Sequence, residues 1–457
     1  MTARDILVVA FGAMIGWGWV VSTGTWVQNA GAAGTVVGFF IGGVMIFFVG
    51  MTYAELTAAM PRAGGEHVFS YKAFGPTGSY ICTWALILSY IGVVCFEAVS
   101  LPAIIQSIFP SFNRGYLYSV AGSEVYLTGV VLAIAFNLLI IGINVVGIKV
   151  ASRFQTILTL TILAVGIILV AASAVNGDVS NLQRQWLRGE GRETVKSIIS
   201  VAVVAPFFLF GFDVIPQVAE EINIPLKKIS RVLLLSIICA VSFYSLVVLA
   251  VGNALSPEEI EQSMADTGLV TAAAMAKVFG SALMSKVLIL GGLCGVITSW
   301  NSFLIGGSRA IFSMAESRML PGRFAIQHPR HKTPVNAVLL IGTLACLAPF
   351  FGRTMLVWIA NASSFACCLA YFMVSLSFLV LRNREPELHR PFKVRNYIFV
   401  GLTAVILSGM MVLFYLIPGS GGTLTAQEAV IICGWILLGI IFYIMCRIKY
   451  KKQFGIM

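Results

Sequence analysis

The chain has 457 residues, of which 58% are hydrophobic and 11% charged, with mean hydropathy +0.93 and a formal net charge of +11. A soluble domain carries about a quarter charged residues, so this composition excludes a chain with a polar surface on all sides and points to an integral membrane protein. The positive charge does not form a nucleic-acid footprint, because it is spread over short loops between apolar runs.

Apolar runs of about 20 residues can cross a bilayer. Twelve are expected, near residues 5–28, 34–60, 80–109, 125–146, 151–174, 197–220, 230–252, 283–312, 334–350, 355–381, 397–417 and 427–447. The first is read as a retained span and not a signal peptide, since no small-residue cleavage site follows it. With the N-terminus inside, 22 of the 30 Lys and Arg fall on the cytoplasmic side or at its boundary, among them Lys149, Arg153, Lys227, Lys228 and the 382–395 cluster. This bias predicts a multi-pass protein of the cell (plasma or inner) membrane with both termini cytoplasmic. The loop holding Arg184, Arg188, Arg192 and Lys196 runs against it.

In the first span, Gly12-Ala-Met-Ile-Gly16-Trp-Gly18 sets three glycines within seven residues. A helix in lipid must satisfy its backbone groups internally, so such a run signals either close helix packing or a deliberate break whose freed groups meet a substrate or ion. The sixth span has a counterpart in Pro206-Phe-Phe-Leu-Phe-Gly211-Phe-Asp213. Five spans run from each interruption, so one membrane domain (1–457) is expected to contain a 5+5 inverted repeat. Its first copy covers 1–174 and its second 197–381, and helices eleven and twelve (397–447) lie outside it. The fold class is therefore all-α, with twelve transmembrane helices of which the first and sixth are broken.

Nine cysteines lie in or beside spans without CxxC spacing, and are read as packing residues. His67, His328, His331 and His389 fall in expected cytoplasmic loops, pair with no catalytic motif, and are read as solvated. An enzyme reading has no clustered histidines or paired carboxylates to rest on. A channel reading lacks a filter motif.

Several separated motifs resemble the amino acid–polyamine–organocation transporter superfamily, specifically its amino acid permease branch. They are the Gly12–Gly18 run, Tyr53-Ala-Glu55-Leu with Pro61-Arg-Ala-Gly64-Gly65 and Tyr71, Phe207–Asp213 followed by Ala219-Glu220-Glu221-Ile-Asn223-Ile-Pro225, and Gly307-Ser308-Arg309 with Met314-Ala-Glu316-Ser-Arg318-Met-Leu-Pro321. The resemblance implies secondary transport of amino acids by alternating access, as symport or exchange. A polyamine or other organic-amine substrate is the alternative. It implies a substrate carboxylate near Gly16, Trp17 and Gly18, an ammonium near carbonyls of Ala13, Met14, Phe207 and Phe210, and Phe207 or Phe208 as an aromatic gate. The implied partners are a small-molecule substrate and the lipid bilayer, with no nucleic acid; oligomeric state is not legible.

Two departures from the family pattern concern Trp17 and the fifth span. Trp17 stands where relatives carry a small residue, so it either narrows the cleft or packs away from it. Ile162 stands where several relatives carry a lysine in place of a structural sodium ion. Backbone oxygens at Gly12 and Ile15, with hydroxyls of Thr298, Ser299 and Ser302, could then hold sodium, or those hydroxyls could back-bond to their own helix. No other cofactor is expected beyond sodium or a proton as coupling ion. Intramembrane acids are functional candidates by default. Asp213 is read either as a proton carrier or as an acceptor for freed N–H groups. Glu97 is read as a selector of cationic substrate or a proton site, or as the partner of a polar group on another helix. Glu55, Glu220 and Glu221 are expected to bridge Arg62, Lys227 or Arg309 at an inner gate.

Overall fold

The computed structural model describes residues 2–352, 354–418 and 423–456; the side chains at 110, 148–149 and 354–356, including that of Lys149, lie outside the described set. α1 (Ala3–Met14) opens on a capping box, in which the Asp5 N–H donates to Thr2 Oγ1 at 3.3 Å and the Thr2 N–H to Asp5 at 2.8 Å. Residues 15–17 leave the helix, which resumes as α2 (Gly18–Val21) and continues into α3 (Thr23–Ala59). Gly31, at φ +77°, divides α3 into the end of the first expected span and the whole of the second. α4 (Gly65–Ile108) is likewise two helices joined at Gly75 (φ +74°), just before Pro76, where α geometry is disfavoured.

The arm of α4 before that joint corrects the reading of His67 as a solvated loop residue. His67 is fully buried: its Nε2 lies 2.8 Å from Ser317 Oγ and its Nδ1 2.8 Å from Ser79 Oγ. An apolar environment with hydroxyls on both ring nitrogens suits an imidazole that ties the arm to a distant helix end.

The helical chain, all-α as expected in its spans, also carries a short hairpin of β1 (Tyr116–Val120) and β2 (Ser123–Tyr126), turning through Ala121 and Gly122, both at positive φ. α5 (Leu127–Val146) and α6 (Ile148–Asn176) follow as expected, and then the short α7 (Val179–Arg184). α8 (Arg192–Phe208) and α9 (Val214–Gln217) are the two parts of the sixth expected span, separated at 209–213. After α10 (Leu226–Ala254) come two helices unforeseen in the sequence, α11 (Pro257–Asp266) and α12 (Val270–Phe279). α11 starts at a Ser256–Glu259 capping box with proline in its first turn. α13 (Ala282–Glu316), α14 (Val335–Leu347), α15 (Thr354–Arg384), α16 (Tyr397–Leu416) and α17 (Ala426–Tyr450) complete the chain.

Among the described residues nine helices are long and apolar enough to cross a membrane. The three expected spans without such a helix are the two broken ones and 334–350, where α14 gives way to a 3₁₀ turn at Ala348–Phe351. Outward faces are apolar, as Val430 on α17 (71% exposed) and Ile157 on α6 (66%) illustrate, while polar side chains such as Asn144, Gln155 and Asn301 are buried. That distribution, inverted relative to a water-soluble protein, belongs to a multi-pass membrane protein.

The middle of the bundle is built from α1, α3, α4, α8, α10, α13 and α15. α17 is clasped to α4 by Trp84 and Trp435, stacked at 4.3 Å, each indole N–H donating to the other's carbonyl at 2.9 Å. α1 and α13 run antiparallel, with Ser302 donating to Val9 O at 3.1 Å, and Gly455 N–H reaches Ser317 O at 2.8 Å beyond the end of α13. Both chain termini therefore lie at the same end of the bundle.

Candidate functional site

The two interrupted segments meet at their breaks. Gly211 sits at φ +127°, and a Cβ there would fall 2.6 Å from Ala13 Cβ, so only glycine permits both the bend and the contact. α1 makes its last turn with Ile15 N–H donating to Phe11 O at 3.0 Å. Beyond it, the N–H groups of Gly16 and Trp17 have no acceptor among the described residues. Gly18 lies under the Phe208 ring, where a Cβ would fall 2.3 Å from Cε1. The Tyr244 hydroxyl donates to Met14 O at 3.0 Å and occupies one of the carbonyls freed at the end of α1.

A cavity of about 170 Å³ opens between the breaks. On the α1 side its wall is Ala13, Met14, Gly16, Trp17 and Gly18; Phe207, Phe208 and Phe210 face them from the α8 side, and Glu97 closes it from α4. The structure thus brings together every residue that the sequence placed at a substrate. Tyr244, Ser363 and Phe303 also line it and had no motif to announce them. An apolar cavity of about 150 Å³ holds benzene, so this space suits a small organic molecule.

The aromatic wall is ordered by its own packing. Phe208 meets Trp26 edge-on at 4.8 Å and Phe207 at 5.1 Å, while Phe207 also meets Phe210 at 6.0 Å. Phe208 is therefore held within a cluster extending to Trp26 and Tyr244, and Phe207 stands between that cluster and Phe210. Trp17 packs its six-membered ring into a notch at Gly292, where a Cβ would fall 2.3 Å from Cζ3, and the residue is also among those that line the cavity. Trp19 is fully buried against Phe243 at 5.4 Å and takes no part in the wall.

The two intramembrane acids have different surroundings. Asp213 lies outside the cavity wall and accepts three hydrogen bonds, from Tyr90 Oη at 2.6 Å, Tyr371 Oη at 2.9 Å and the Gly211 N–H at 2.9 Å. It fastens the break between α8 and α9 to α4 and α15. Glu97 is 3% exposed, lies beside Ser299 at Gly16, and among the described residues leaves Oε2 without a partner.

Of the oxygens considered for sodium, the three hydroxyls face protein groups. The Thr298 hydroxyl donates to Gly295 O at 2.9 Å and that of Ser302 to Val9 O at 3.1 Å, while Ser299 faces Glu97. The Gln155 amide donates to Ser302 Oγ at 2.9 Å and Thr298 O at 3.0 Å, and a Cβ on Gly12 would fall 2.5 Å from its Nε2. Asn301 donates to Gln155 Oε1 at 2.9 Å and Asn144 to Asn301 Oδ1 at 2.8 Å, fixing the amide's orientation. A bound cation needs oxygens free to point at it, and here an NH₂ group already stands among them. The Gln155 amide therefore competes with a cation for Thr298 O and Ser302 Oγ. Ile162, in line with the sequence, is a buried aliphatic. Gln155, Asn144 and Asn301 were missed as a unit, although an amide inside an apolar run was a visible signal.

At the end of the bundle bearing the termini, Arg309 Nε pairs with Glu221 Oε1 at 2.9 Å, one of the bridges expected there. Glu55 departs from expectation. It is fully buried and pairs with Arg382 at 2.6 Å and Arg390 at 3.1 Å, while also accepting the Val394 N–H at 2.7 Å. The basic 382–395 loop folds back over the bundle and reaches Glu55 before Arg62 or Lys227 can.

A family model described as amino acid permease matches residues 3–445. The branched-chain amino acid permease BcaP of Bacillus subtilis is 25% identical, covering 98% of this chain and 93% of its own. The methylthioribose transporter of the same organism is also 25% identical, over 99% of this chain and 94% of its own. The mouse Asc-type amino acid transporter 1 is 26% identical over 84% of this chain and 71% of its own.

Proposed function

The chain belongs to the amino acid permease family, and from that premise we propose that the cavity between the α1 and α8 breaks is its substrate seat. The protein is an amino acid transporter, not an enzyme. The substrate carboxylate accepts hydrogen bonds from the N–H groups of Gly16 and Trp17, and Gly18 allows the ligand and Phe208 to approach the backbone. Helix N-termini carry about half a positive charge, which favours an anion there. The α-ammonium faces the carbonyls of Ala13, Phe207 and Phe210 across the gap, the Met14 carbonyl being taken by Tyr244. The observation carrying this reading is the pair of unpartnered N–H groups opening onto a small apolar cavity. Both residues are half-buried at the cavity wall, so an anion seated there can accept from their N–H groups in place of water.

The transport cycle alternates access around this seat, with Phe207 moving at one side and the Arg309–Glu221 pair parting at the other. Twelve crossings, two inverted repeats (1–174 and 197–381) and a scaffold pair at 397–447 are the arrangement we read here, supported by the contact of the two breaks at Ala13 and Gly211. The excess of Lys and Arg at the end bearing the termini supports a cytoplasmic location for that end, in the cell membrane. Sodium takes no part, because Gln155 occupies its surroundings. An organic amine is the second reading, favoured by the lone carboxylate of Glu97 in the wall.

The test is a thermal-shift screen of the purified protein in nanodiscs against the standard amino acids and diamines, followed by uptake into proteoliposomes. A ligand at a hundred times its Kd adds about 2.7 kcal/mol of stability, a shift that is readily measured. Stabilisation by one or more amino acids, lost on Gly18→Val, supports the seat. Stabilisation by none refutes it.

A further inference from the structure

Glu97 occupies the ground that an arriving carboxylate must share. Its Oε1 lies 3.2 Å from where a Cβ on Gly16 would stand, beside the N–H groups assigned to the substrate. Its Oε2 is buried and has no partner among the described residues. The elements around it offer no compensating charge. α1 presents Met14 and Trp17, α8 its phenylalanines, α13 Ser299 and α15 Ser363, and among the described residues the wall contains no Lys, Arg or His. Tyr244 from α10 is the other titratable group of the lining, and its hydroxyl is already committed to Met14 O. Two carboxylates at such a separation in an apolar space cannot both be ionised without a large penalty.

We propose that Glu97 is the proton-binding residue of the transport cycle, and that it must take up one proton before an amino acid carboxylate can seat on Gly16 and Trp17. The proposal rests on the substrate seat argued above. The proton comes from the solution on the loading side and bonds to Oε2, the oxygen without a partner. The resulting O–H then donates toward the substrate carboxylate. When the substrate leaves on the other side the proton leaves with it, so each zwitterionic amino acid moves with one proton and one positive charge. Asp213 is unsuited to this task, because its oxygens are held by Tyr90, Tyr371 and Gly211 away from the cavity.

The experiment uses the full chain in nanodiscs and the radiolabelled amino acid that stabilises it most in the screen. Its Kd is measured from acidic to alkaline buffer for the native chain, Glu97→Gln and Gly18→Val, with gel filtration confirming that each remains monodisperse. The native affinity should fall about tenfold per pH unit on the alkaline side, as linkage to one proton requires. Glu97→Gln, which copies the neutral acid in shape, should bind with no pH dependence. In proteoliposomes an acidic exterior should drive accumulation by the native chain and not by Glu97→Gln.

An equal pH slope in both proteins, or none in the native chain, overturns the role of Glu97. So does putrescine binding that strengthens at alkaline pH and disappears in Glu97→Gln, which would make the carboxylate an ammonium seat. pH-independent native binding that Gly18→Val abolishes removes only the role of Glu97 and leaves the seat standing. Binding that survives Gly18→Val overturns the seat and this proposal with it.

Discussion

Asp213 offers a graded test of how the broken sixth segment is held. Its two oxygens take three donors: Tyr90 on Oδ2 at 2.6 Å, and Tyr371 and the Gly211 N–H on Oδ1, each at 2.9 Å. Asp213→Ala removes all three bonds and leaves two buried hydroxyls and one backbone N–H unpaired. A stranded buried group costs about 1–3 kcal/mol, and hydrogen bonds measured inside membrane proteins average about 0.6 and reach about 1.7 kcal/mol. Three such losses with partial relaxation come to about 3–6 kcal/mol. Asp213→Asn keeps Oδ1 and its two donors; only Tyr90 must reverse and accept from the new NH₂, at about 1 kcal/mol. Tyr90→Phe should fall between the two, at about 1–2 kcal/mol. Equilibrium unfolding from mixed micelles by SDS measures all three. An alanine variant within about 0.5 kcal/mol of the native chain, or an asparagine variant as unstable as alanine, refutes the view of Asp213 as a three-way fastening. The shape of the pH profile of substrate binding should be unaltered in Asp213→Asn, in contrast to Glu97→Gln.

Other outcomes follow from the same geometry. Uptake by the native chain should be unchanged when choline replaces sodium, and Gln155→Leu should lose about 2–3 kcal/mol of stability by removing the donors to Thr298 O and Ser302 Oγ; sodium-dependent uptake would contradict the first. Glu55→Gln should lose about 3–5 kcal/mol by leaving Arg382 and Arg390 buried without their partner, whereas breaking the half-exposed Lys72–Glu385 pair should change stability by about 0–1 kcal/mol. Comparable losses at the two sites in SDS unfolding would show that burial does not set their strength. Trp17→Ala should enlarge the cavity and shift competition for uptake toward bulkier side chains; an unaltered competition profile would show that the indole does not limit substrate size.

The site was legible in the sequence because its determinants are local. Glycines and a proline inside apolar runs announce a break wherever they occur, and Gly12–Gly18 and Pro206–Asp213 needed no partner to be recognised. His67 was misread because its partners include Ser317, which is 250 residues away. Glu55 was misassigned for the same reason, since its arginines arrive from a loop more than 300 residues downstream. The hairpin at 116–126 has exposed tyrosines and serines without apolar alternation, so its strands carry no period-two signal. The Gln155 amide escaped notice because the reading of the fifth span looked for a lysine. An uncharged donor reaching the same oxygens leaves no trace in the count of charges.

A structure of the full chain determined by cryo-electron microscopy with its transported amino acid bound tests the central claim most directly. The account predicts density in the cavity between the breaks, with the ligand carboxylate within hydrogen-bonding distance of the Gly16 and Trp17 N–H groups and its side chain against Phe207 and Trp17. Ligand density elsewhere, for instance in the aromatic groove beside Trp84 and Trp435, with those N–H groups still unpaired, would contradict it.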